Sequence, residues 1–98
     1  MRIALKKFGT TLTSRQAGSE AAKAFQPTLR ELKSAENLEI DFDGVLTFAP
    51  SWGDEFLSPL LKKYGGNITL LHTENPSVQA TLKILKQING KGFSKIEN

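Results

Sequence analysis

The chain contains no cysteine. Without thiols there is no disulfide framework and no thiolate metal site. It has a single histidine, and one imidazole with no thiol does not make a dedicated zinc centre. No apolar run approaches the roughly 20 residues needed to cross a bilayer, and the N-terminus lacks the apolar stretch of a signal peptide. The expected location is therefore cytoplasmic. A strong charge of one sign is missing too. The formal net charge is +3, too mild to argue for nucleic acid without a localised patch. Phosphate loops are absent by pattern: Gly65-Gly66 has no lysine after it, and Gly90-Lys91-Gly92 follows a helical stretch rather than a strand. Nothing in the sequence calls for a cofactor.

What is present suits one folded domain. The 98 residues are 39% hydrophobic and 23% charged, inside the range of chains that build a core. Arg2 to Phe8 alternates loosely and reads as a strand. Thr13-Ser14-Arg15-Gln16 fits a capping box with Gln16 reaching back. A helix follows with Ala17, Ala21, Phe25, Leu29 and Leu32 on one stripe, and Pro27 is expected to kink or split it. Gly18 either costs that helix stability or lets another element come close. Lys33 to Asn37 is a polar connection. Leu38 to Phe42 is a second strand, in which Asp41 needs a hydrogen-bond partner if both sheet faces are covered. Asn67 to Thr73 is a third strand. Asn75-Pro76 is a strong helix start, and Val78, Leu82, Leu85 and Ile88 form the stripe that follows. Gly90 ends that helix. The domain is expected to span 1–90, with 91–98 a frayed or loosely docked tail. The alternation of strands and helices predicts an α/β fold, a small, mainly parallel or mixed sheet with about three main helices.

The most informative stretch is Leu38 to Tyr64. A strand passes through an Asp43-Gly44 turn and a second apolar step, Val45 to Phe48, into an amphipathic helix with Phe56, Leu57, Leu60, Leu61 and Tyr64 at helical spacing. Pro59 predicts a bend near Glu55. Ser51 sits at the joint. With Asp54 three residues on it reads as a helix cap worth about 1 kcal/mol. Trp52, the only tryptophan, is either a binding anchor or a core filler. Asp43, Ser51 and His72 would gather at the carboxyl edge of a parallel sheet, the arrangement a small hydrolase would need. The nucleophile elbow G-x-S-x-G is absent, however, because position 49 is alanine. On a strand face His72 reads as a packed imidazole. Lys83, Lys86, Lys91 and Lys95 make a basic side at the C-terminal end, a solvated face or a weak contact for nucleic acid.

The motifs Ile3 to Phe8, Ser14-Arg15, Asp41-Phe42, and Ser51-Trp52 before Asp54-Glu55 resemble the STAS-like family of unknown function. That family is related to the STAS domains of sulphate transporters and anti-sigma factor antagonists. The resemblance runs to about Leu85. It implies a non-catalytic regulatory module that binds another protein, an ATP-binding serine kinase or an anti-sigma-type protein. In the antagonists a serine at this joint is phosphorylated by the partner kinase. Aligned on Val45 and Phe48, Ser51 falls on that serine, although the antagonists read Asp-Ser-Ser-Gly where this chain reads Ala49-Pro50-Ser51-Trp52. The resemblance thus makes Ser51 a candidate phosphoacceptor, and Ser51, Trp52, Asp54, Glu55 and Asp43 the candidate partner-binding residues.

Overall fold

The computed structural model describes residues 1–33, 35–93 and 95–97. Ser34 of the expected connection, and Ser94 and Asn98 of the expected tail, lie outside the described residues. Strand β1 (Arg2–Ala4) is shorter than its pattern suggests, because Leu5–Phe8 winds into a 3-10 turn that still buries Leu5. Strand β2 (Thr11–Leu12) leads to helix α1 (Arg15–Leu29). Then follow β3 (Leu38–Asp41), β4 (Thr47–Phe48), α2 (Pro50–Tyr64), β5 (Ile68–Leu71), α3 (Pro76–Asn89) and β6 (Lys95–Glu97). The main sheet has the order β1-β3-β5-β6, and every pair is parallel. A separate two-stranded parallel ladder joins β2 to β4. Within the stretch expected to be frayed or loosely docked, Lys95–Glu97 pairs with β5 as an edge strand.

Strands laid down in sequential order with right-handed crossovers place their helices on one face. The core agrees with that arrangement. Ile3, Leu38, Ile40, Ile68 and Leu70 from one face of the sheet share a single cluster with Phe25, Leu29, Trp52, Phe56, Leu57, Val78 and Leu85 from the helices. The alternate row runs Arg2, Glu39, Thr69, Lys95 across the sheet. On it Arg2 Nε lies 3.3 Å from Glu39 Oε1, and Thr69 exchanges hydrogen bonds with the Asn37 side chain. The condition of covering on both faces is therefore not met: the helices cover one face, and the other is mostly polar, with Leu71 of β5 its buried apolar residue.

The helix details depart from expectation in small ways with plain causes. The α1 cap is Ser14, whose hydroxyl accepts from Ala17 N at 3.0 Å. Gln16 turns instead to Glu20. The buried stripe is Gly18, Ala21, Phe25 and Leu29, and Ala17 is exposed because it lies off that face. Gly18 is the point of closest approach between helices: a Cβ there would lie 2.7 Å from the Trp52 carbonyl oxygen. Pro27 does not split α1. It sits on the exposed side near the end, where only the Lys23 carbonyl loses its donor. Pro59 is likewise on the exposed side of α2, which continues to Tyr64.

Candidate functional site

The β2–β4 ladder pairs Leu12 with Phe48, and Ala49 N donates to Leu12 O at 2.9 Å. Each of these strands runs directly into a helix, so the starts of α1 and α2 are held side by side. The third start joins them through Asn75. Its Oδ1 accepts from Ser77 N (2.7 Å) and Val78 N (3.3 Å), while its Nδ2 donates to the carbonyls of Val45 and Leu46. Ser77 and Thr81 add hydrogen bonds to the Phe48 backbone. Three helix N-termini, with their positive dipole ends, thus gather along one edge.

Ser51 lies on this edge but does not cap α2. Ala49 occupies the cap position and Pro50 the first helical position, so Ser51 falls inside the first turn. Its side chain is exposed and makes no hydrogen bond among the described residues. Asp54 does not close a capping box either. It accepts from Ser58 Oγ at 2.8 Å and from Arg15 Nη1 at 3.2 Å. Arg15 also stands 3.6 Å from Glu55 Oε1. Asp54 and Glu55, expected among the partner-binding residues, are thus both within reach of Arg15 from α1. The Ser58 hydroxyl, and after it Arg15, overcome partial burial and hold the Asp54 carboxyl below its ordinary range. Ser58 in turn accepts from Asn89 Nδ2 at 2.9 Å, so a polar chain Arg15–Asp54–Ser58–Asn89 crosses all three helices.

Trp52 is not on the surface. It is 1% exposed and stacks on Phe56 at 4.9 Å between ring centroids, with Phe48 edge-on at 5.9 Å and Phe8 at 6.1 Å. Its place among the partner-binding residues is corrected to the centre of the core. The exposed apolar side chain of this edge is Leu46, 66% exposed, which the sequence reading did not select. Its spacing from buried Phe48 would have placed it inside.

Asp43 is exposed in the turn closed by Val45 N to Phe42 O, where Gly44 takes φ +84°. The packed-imidazole reading of His72 is also corrected. His72 follows the last residue of β5 with φ +56°, its side chain half-exposed, and Nδ1 lies 2.7 Å from Asp41 Oδ1. The same Asp41 oxygen accepts from Asp43 N at 2.9 Å. These are the partners Asp41 needed. Partial burial pushes the Asp41 carboxyl up, but the Asp43 N–H and the His72 hydrogen bond and charge bring it below its ordinary value. The hydrogen bond and charge of Asp41, with Asp43 and Glu74 nearby, raise His72. The triad of Asp43, Ser51 and His72 is not assembled: His72 pairs with Asp41, and no hydrogen bond links Ser51 to either partner among the described residues.

These features define a class, an α/β domain with helices layered on one face of a parallel sheet and an exposed serine in the first turn of the central helix. The chain belongs to the family described as the STAS-like domain of unknown function, whose family model matches residues 20–78. The match begins inside α1 and ends in the first turn of α3, so it contains β3, β4, β5 and the starts of α2 and α3 but not β2 or the start of α1. No curated protein and no solved structure matched the chain. Among the described residues no helix is long and apolar enough to cross a membrane.

Proposed function

We propose that this domain is a non-catalytic regulatory module that docks another protein on the edge formed by its helix starts, and that phosphorylation of Ser51 switches the docking. The observation that carries the reading is the free Ser51 hydroxyl. It is exposed, in the first turn of α2, and bound to nothing among the described residues, so a kinase can take it without disturbing the fold. First-turn amides lack intrahelical acceptors and favour an anion. A phosphate adds about −1.5 to −2 charge there. It would compete with Asp54 and Glu55 for Arg15 and so alter the edge electrically while leaving the core alone. Leu46 supplies apolar contact surface, with Asp43, Asp54 and Glu55 as the polar rim. A protein partner of the ATP-binding serine-kinase or anti-sigma type fits this reading.

The test is affinity capture from the native cell with wild type and Ser51→Asp, together with mass spectrometry of the Ser51 peptide. A phosphorylated Ser51 peptide is expected, as is a partner retained by wild type and lost by Ser51→Asp. A partner held equally by Leu46→Asp, Ser51→Asp and wild type, all folded, would place the interface elsewhere.

A further inference from the structure

A different edge of the molecule carries a second surface. Strand β6 ends the sheet and, among the described residues, pairs on one side only. His72 N donates to Glu97 O at 3.1 Å, so the Glu97 carbonyl faces β5. In a parallel ladder the residues alternate. Lys95 therefore also addresses β5, and the N–H and C=O of Ile96 point outward from the sheet. Ile96 is 49% exposed. Its side chain borders a groove of about 460 Å³ shared with Leu70, Leu82 and Phe93. An outward donor and acceptor beside an exposed isoleucine can take up one further strand, although the short length of β6 and its flanking charges limit how much can pair.

The sequence of this edge, Lys95-Ile96-Glu97, is self-complementary in the antiparallel sense. A copy turned about a two-fold axis through Ile96 sets Lys95 against Glu97 and Glu97 against Lys95. The two Ile96 residues then exchange both backbone hydrogen bonds. The flanking pairs fall at the non-hydrogen-bonded positions, where opposite side chains are closest, and opposite charges directly across are favourable. Lys95 and Glu97 lie on the polar face of the sheet, while Ile96 meets its twin on the helix side over the groove. Lys83 and Lys86 line that groove from α3. Both are exposed, so their stems can cover the apolar seam while their ammonium groups stay in water.

We infer that β6 is the contact of an isologous dimer, in which a second copy of this chain extends the sheet across a two-fold axis at Ile96. The occupant is a second copy because the charge order along the edge matches itself. A three-residue edge is small against the roughly 1,200 Å² of a stable interface, so the dimer forms and separates with concentration. It is independent of the Ser51 edge.

Sedimentation velocity of the full chain over a concentration series tests the inference. Wild type should show a concentration-dependent monomer–dimer equilibrium. Ile96→Asp should remain monomeric with an unchanged circular dichroism spectrum. Lys95→Glu and Glu97→Lys should each weaken self-association about tenfold or more, since each sets like charges opposite at both flanking pairs. Mixed together, those two variants should recover a heterodimer close to wild-type strength, because every pair is again opposite in sign. Two folded single variants whose mixture gains nothing would overturn the proposal. So would a wild type that stays monomeric, whether or not its edge takes up a poly-glutamate peptide probe.

Discussion

Neighbouring helical residues point about 100° apart, and in the first turn of α2 that rotation sends Ser51 to solvent and Trp52 into the core. Each substitution therefore acts through a different property. Ser51→Ala removes a hydroxyl with no hydrogen bond among the described residues, so its stability should stay within about 0.5 kcal/mol of wild type. Trp52→Ala removes the ring that touches Phe8, Phe48 and Phe56, and should cost about 3–5 kcal/mol, much of a small domain's stability. Urea denaturation midpoints measure both, and a large loss in Ser51→Ala would show that the serine has a structural role after all. The sequence held the clue that decides this. A proline favours the first helical position, so Pro50 moves the cap back to Ala49 and Ser51 inward by two places. Ser-x-x-Asp is the louder pattern, but Asp54 was drawn off by Arg15 and Ser58, partners that only the fold brings near.

At the scale of elements, the helices were the most legible, because their apolar stripes extend over several turns and outvote single residues. Pro27 and Pro59 illustrate this: each breaks a local rule, yet each sits on the exposed side of a helix whose buried face holds it together. The β2–β4 ladder was not legible, since two residues per strand carry no periodicity. It is nonetheless what aligns the helix starts. Two predictions test this arrangement. Gly18→Ala would bring a Cβ to 2.7 Å from the Trp52 carbonyl oxygen and 2.9 Å from its Cα. These are backbone atoms that cannot rotate away, so a loss of about 1–3 kcal/mol is expected, and no loss would mean α1 shifts freely. Asn75→Ala removes a cap together with two hydrogen bonds to the Val45 and Leu46 carbonyls, whereas Ser14→Ala removes one exposed cap bond. Both costs fall within about 0.5–2 kcal/mol, with Asn75→Ala the larger. Guanidinium unfolding of the two side by side decides, and equal costs would mean the loop ties contribute nothing.

For the whole molecule, the one-faced arrangement of helices leaves a mostly polar sheet surface, and a charge pair sits at the end of that surface beside the buried Leu71. Asp41 at the end of β3 and His72 just after β5 meet at 2.7 Å, and the His72 backbone also holds the Glu97 carbonyl of β6. Three strands thus depend on one corner. The pair predicts how stability follows pH. Folding lowers Asp41 from its ordinary 3.8, so its contribution is present above that value and is lost as pH falls through the depressed folded pKa. Folding raises His72 from its ordinary 6.5, so its contribution is complete below that value and is lost as pH rises through the elevated folded pKa. The pair should therefore help most between about 3.8 and 6.5 and fade on either side. Glu36 and Asp54 are also lowered on folding and deepen the acid loss, so the comparison must be made by difference. Asp41→Asn with His72→Asn is suitable, because asparagine tolerates the left-handed backbone that His72 adopts. Unfolding free energies of wild type minus this double variant, measured from pH 3 to pH 9, should trace a dome over that window. A difference that is flat with pH, or that grows steadily above neutrality, would show that the corner is held by something other than the ion pair.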